Sequence, residues 1–238
     1  MINAFFRDNH NFSFGNSHHI AALVLFSFFT ICSIYIANKY CSEQQKYKLG
    51  NYIGGSLSLT IVLWIIAEIS LGKFDLAIDL PLYLCSFMAF TMPIFTLTRS
   101  FLIYEIIVFW IWGGTLQAVI TPDLYHNFPH YNFIKYWMGH AGLIWMILYA
   151  TYVYQYRPTF KSIFKSFGVL QIYFILIIGV NYLLGSNYAY LNEKPTVGSV
   201  LDWFGPWPYY VIQGQFLILP IFFVIYMPFY FSNKRHTP

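Results

Sequence analysis

Two side chains in this sequence have the types and placement for thiol chemistry. Cys85 lies in the stretch Asp79 to Arg99, DLPLYLCSFMAFTMPIFTLTR, which reads as a membrane-spanning helix opening on an acid, a proline and a cysteine. Asp79 can cap that helix and Pro81 fits its first turn, since neither position has an intrahelical donor to lose. Cys85 then falls about one and a half turns inside, where the partial positive charge of the helix start favours a thiolate. His140 is expected at a matching depth on a later apolar stretch. An imidazole beside a thiol is the usual base for attack on a carbonyl, and Asp79, Asp123 or Glu68 could orient it in a triad-like arrangement. The plainer reading is a small packing residue and an interhelical hydrogen-bond partner.

The elements that must position these groups follow from composition. Of 238 residues, 58% are apolar, 22% aromatic and only 9% charged, whereas soluble domains carry about 25% charged residues. Apolar runs long enough to cross a hydrocarbon core of roughly 30 Å recur along the chain. The expectation is an all-α fold, a single polytopic membrane domain over residues 1–238 with seven transmembrane helices at 20–37, 50–71, 80–97, 101–121, 134–154, 166–184 and 208–231. The first run lacks a small-residue cleavage signature and reads as a retained span. Cys32, Cys41 and Cys85 suggest free thiols rather than a disulfide framework.

Charge asymmetry orients this bundle. Arg7, Lys73, Lys135 and Lys194 fall on the side of the N-terminus, while Lys39, Lys46, Lys48, Arg99, Arg157, Lys161, Lys165, Lys234 and Arg235 fall opposite. Positive residues gather on the cytoplasmic side, so the N-terminus is expected outside and the C-terminus in the cytoplasm. The net charge of +4 comes from scattered basic residues and does not point to nucleic acid.

In that orientation Glu68, Cys85, Gln117, His140, Asn181, Gln213 and Gln215 all fall roughly 5–12 Å below the outer interface, at 1.5 Å per residue. Polar groups at such depth normally face a bundle interior, which implies a pocket opening outward. Asn181 or Gln117 could donate to an oxyanion there. Without chemistry, Glu68, Gln117, Asn181 and Gln213 could instead line a solute path or bind a lipid headgroup. Gly54-Gly55 and Gly113-Gly114 could permit bending or close helix packing. The link 185–208, with Tyr188, Tyr190, Trp203 and Trp207, suits a lid at the interface. Glu105 is expected to pair with Arg99. Asp123, His126, His130 and His140 are zinc-ligand types, but Pro129 opposes the helix that would align His126 with His130. Interfacial loop histidines are the default, and no metal or other cofactor is expected.

Several stretches together, LPLYLC (80–85), TPDLYHNFPHY (121–131), NYLLGSNYAYLNEKP (181–195) and LDWFGPWPYY (201–210), resemble the YwaF/TMEM164-like family of integral membrane proteins. The bacterial YwaF branch looks closer, which implies a multi-pass protein of a bacterial plasma membrane. The animal branch implies a lipid acyltransferase acting through a cysteine. Carried over, that cysteine is Cys85 and the span-five histidine is His140. Many members carry His or Gln where this chain has Tyr83. The resemblance implies an acyl thioester on Cys85, with membrane lipids as partners and a phospholipid or lysolipid as substrate; it leaves oligomeric state open.

Overall fold

The computed structural model describes residues 5–6, 12–194 and 200–234. Within these the chain is largely helical, and seven helices of 15 residues or more lie over the seven apolar stretches. They are α1 (Ser17–Tyr40), α2 (Glu43–Ser70), α3 (Leu84–Thr98), α4 (Phe101–Ile120), α5 (Tyr131–Tyr152), α6 (Phe160–Leu184) and α7 (Tyr209–Lys234). Of these, α1, α2, α4, α6 and residues 209–232 of α7 are long and apolar enough to cross a membrane, and α3 is a shorter apolar helix.

Local chemistry sets the helix starts. The Asn16 side chain accepts the His19 N–H at the head of α1. Ser42 and Gln45 form a reciprocal capping box on α2, and Thr159 and Ser162 do the same on α6. Gly185 ends α6 in the left-handed conformation at φ 63°, which glycine adopts without steric cost.

Helix α5 runs through the middle of the bundle. Leu143, Met146, Ile147, Tyr149 and Ala150 are fully or almost fully buried on it. Between apolar helices in lipid, close backbone approach replaces hydrophobic expulsion as the source of packing, and two glycines provide it. A Cβ on Gly142 would lie 2.4 Å from Leu57 Cδ2 of α2, and one on Gly54 would lie 2.6 Å from Thr96 Cγ2 of α3. Gly55 meets nothing within 4 Å.

The other glycine pair acts differently. Ile111–Thr115, the segment holding Gly113 and Gly114, is a π-helical turn inside α4, in which the Leu116 N–H reaches back to the Ile111 carbonyl. Such bulges shift the face presented by everything beyond them.

Two expectations are corrected. Glu105 does not pair with Arg99. Its carboxylate is buried against α6, where it accepts from Lys165 Nζ at 2.6 Å and from Ser162 Oγ at 2.5 Å, while the Arg99 guanidinium stacks on the Tyr47 ring at 4.4 Å. The third apolar stretch does not turn helical at residue 80 either; α3 begins at Leu84.

Candidate functional site

The late start of α3 has a local cause. Residues 75–83 fold into tight turns in which Asp79 Oδ2 accepts the Asp75 N–H at 2.9 Å and the Leu82 N–H reaches Leu80 O at 2.7 Å. Asp79 is therefore engaged with Asp75, four residues earlier, and does not cap α3. Tyr83 is the N-cap, extended and without a side-chain cap bond. Cys85 consequently sits in the first turn of α3, not one and a half turns inside it.

Three helices converge on that sulfur. Cys85 Sγ lies 3.4 Å from Thr115 Oγ1, which the π-turn of α4 brings round to face it. The imidazole of His140 on α5 lies within interaction range of the same thiol. His140 Nδ1 lies 2.7 Å from the carbonyl oxygen of Tyr136. A carbonyl only accepts, so Nδ1 carries the proton in that contact and Nε2 is the nitrogen left for the thiol. Cys85 and His140 are both half-buried.

Tyrosines enclose this pair. The Tyr136 ring lies over His140 with centroids 4.2 Å apart, and its hydroxyl donates to Ala118 O and accepts the Asp123 N–H. Tyr173 of α6 packs on Phe87 at 5.3 Å and donates to Leu82 O at 2.6 Å. Tyr83 packs edge-on against Tyr188 and tilted against Tyr190.

The remaining site residues divide clearly. Asp123 lies in the link before α5, where burial raises its carboxyl above the usual aspartate range. Its Oδ1 is buried without a hydrogen-bond partner among the described residues. It touches the site through the Tyr136 hydroxyl, and the Nδ1 position of His140 belongs to the Tyr136 carbonyl. Glu68 is buried near the end of α2, within electrostatic range of Asp79, Lys135 and Lys73. Lys135 in turn sits 3.8 Å over the Trp64 ring.

Asn181 does not join the sulfur. Its Nδ2 donates to Tyr188 O, and its Oδ1 accepts from Ser186 Oγ and the Tyr188 N–H. Tyr188 is fully buried and bridges back to the turns before α3, donating to Leu76 O and accepting the Leu80 N–H. Gln117, Gln213 and Trp203 are exposed and face away from the bundle interior, Trp203 at 82% of its full surface. Gln215 instead accepts from Gln171 Nε2 at 2.9 Å between α6 and α7. The rings of His126 and His130 stack 3.8 Å apart, and no group of three His, Cys, Asp or Glu among the described residues could hold a metal ion.

Thr115, Tyr136 and Tyr173 are the members that sequence reasoning did not single out. Gly113-Gly114 just before Thr115, and the four-residue spacing of Tyr136 from His140, were the available signals.

This arrangement is a half-buried thiol–imidazole pair among tyrosines inside a helical membrane bundle. No curated protein sequence and no solved structure matches the chain. The model of the TMEM164 family matches residues 13–226, which is well over half of the sequence, and the chain belongs to that family.

Proposed function

We propose that the protein transfers or hydrolyses lipid acyl groups through Cys85. The observation that carries this reading is the juxtaposition of Cys85, held by Thr115 at 3.4 Å, with the imidazole of His140, itself held by the Tyr136 carbonyl at 2.7 Å. His140 Nε2 takes the Sγ proton, and the sulfur attacks the ester carbonyl of a donor lipid. The first turn of α3 has no side-chain cap, so its main-chain N–H groups are open to the oxyanion that develops beside Cys85. Asn181, held by the loop, and Gln117, turned outward, are not needed for that role. The protonated imidazole returns its proton to the departing alkoxide, leaving a thioester on Sγ. An acceptor hydroxyl then gives its proton to His140 and attacks the thioester carbonyl, and the sulfur leaves as the thiolate. When water is the acceptor, the product is a free fatty acid.

The multi-pass bundle in a cell membrane, with seven crossings and the pocket on the outer side, completes this reading. Labelling of membranes with an acyl-mimetic thiol probe tests it. The wild type should label at Cys85, Cys85→Ser should lose that label, and His140→Ala should slow it. Equal labelling of all three at the same peptide sinks the proposal.

A second reading, a non-catalytic protein binding a lipid or small solute, is favoured by one observation. Glu68, Lys135 and Asp79 form a charged group near Trp64 that the thiol chemistry leaves unused. On that reading Cys85→Ala retains function and Glu68→Gln loses it.

A further inference from the structure

Ala189 and Tyr190 are consecutive non-glycine residues in the left-handed region, at φ 57° and 55°. L-residues rarely adopt that backbone, so its surroundings must impose it. Asn181 grips the Tyr188 main chain through both its amide atoms. Asn187 Oδ1 accepts the N–H groups of Asn192 and Glu193, and its Nδ2 donates to Glu193 O. Tyr210 of α7 donates to Tyr190 O at 2.6 Å, and Trp207 Nε1 to Leu191 O at 3.0 Å. Backbone strain fixed this firmly by its neighbours is characteristic of ligand clamps and gates.

What the strain positions is the Tyr190 ring. It packs on Tyr83, two residues before Cys85, with centroids 5.5 Å apart. Its phenol lies within electrostatic range of Cys85, Asp123 and Tyr125. Among the described residues the hydroxyl makes no hydrogen bond, so the ring's bulk is the part in use.

We infer that Tyr190, seated on Tyr83, is the gate that keeps water at the loop end of the bundle away from Cys85. An acyl thioester on that sulfur would then meet a lipid hydroxyl before water. Loss of the gate diverts the acyl group to water, releasing the fatty acid and restoring the thiol. This consequence rests on the acyl-transfer reading. The gate itself is tested without it.

The test uses the full chain in nanodiscs with Cys32→Ser and Cys41→Ser, leaving Cys85 as the single thiol. Its alkylation is followed with neutral N-ethylmaleimide and with a quaternary-ammonium methanethiosulfonate. Tyr190→Ala should accelerate the charged reagent about tenfold or more and the neutral one less than about threefold, while Tyr190→Phe leaves both rates unchanged. His140→Ala should slow both reagents alike. A charged-reagent rate unaltered in Tyr190→Ala, with normal elution and melting, overturns the gate. So does a thiol that neither reagent reaches in any variant. Should Tyr190→Ala not fold, Tyr190→Leu carries the same expectation. A shifted reagent ratio with His140→Ala silent keeps the gate and removes the activated thiol; the converse keeps the thiol and removes the gate.

Discussion

His140 Nδ1 lies 2.7 Å from the carbonyl oxygen of Tyr136, one turn earlier on the same helix. The orienting partner of the imidazole is therefore main chain, and it is built into α5 wherever that helix forms. A conventional triad asks a third side chain for this service. Here the fold provides it.

One prediction follows for side chains around the imidazole. His140→Gln should lower the Cys85 acylation rate by about a hundredfold or more, the usual weight of a general base. Tyr136→Phe keeps the carbonyl and should stay within about threefold of wild type, as should Asp79→Asn and Asp123→Asn, because none of these removes the Nδ1 acceptor. Rates of acyl-probe labelling compare the four variants. A collapse in Asp79→Asn or Asp123→Asn equal to that of His140→Gln would return the orienting role to a carboxylate.

Thr115 should act on the sulfur through a single hydrogen bond. Thr115→Val, close in shape, should slow thiol acylation about fivefold, the weight of one bond worth about 1 kcal/mol. Thr115→Ser should restore the rate if its hydroxyl reaches the same place. Labelling kinetics at saturating probe separate this from weaker binding.

Asn181 should matter for stability more than for chemistry. Asn181→Ala removes three buried bonds to Ser186 and Tyr188 and should cost about 3 kcal/mol. Asn181→Asp should fail in the same direction, because the donor to Tyr188 O is lost. Thermal unfolding of detergent-solubilised protein reads the effect. Wild-type melting in both variants would show that the loop does not depend on this amide.

Asp123 should give stability a pH dependence of definite sign. Burial raises its folded-state pKa above the ordinary 3.8, so the folded chain holds this proton more tightly than the unfolded one. Its contribution is fully present below about pH 4 and is lost as pH rises through the folded value. Asp123→Asn should therefore raise the melting temperature at pH 7, with the gain shrinking to nothing near pH 4. Melting curves across that range check it; a gain that grows on acidification would reverse the assignment.

Much of this could be read from the residues, and the remainder shows why depth is easier to read than direction. Apolar run length marked out a multi-helix bundle, in which five helices are long and apolar enough to cross a membrane, and counting residues along the runs set Cys85 and His140 at one level. The same counting set Gln117 and Gln213 there too, yet both face outward. Each residue turns a helix by about 100°, so a face is fixed only once neighbours are known. The start of α3 was misplaced because Asp79 and Pro81 suit a tight turn as well as a helix cap. Asn181 resembled a pocket donor because a loop staple and a ligand donor are the same amide until the loop is seen.

The π-turn at Ile111–Thr115 carries one more implication. It amounts to a spare residue in the winding of α4, and it sets the phase of everything from Thr115 to Ile120. Shortening the chain there by a single glycine would let α4 wind regularly, rotate Thr115 off the sulfur by about a quarter turn, and leave the helix as apolar as before. Length and hydropathy would look untouched while the thiol lost a neighbour. In this bundle one surplus position in an apolar rod decides which hydroxyl the Cys85 sulfur meets.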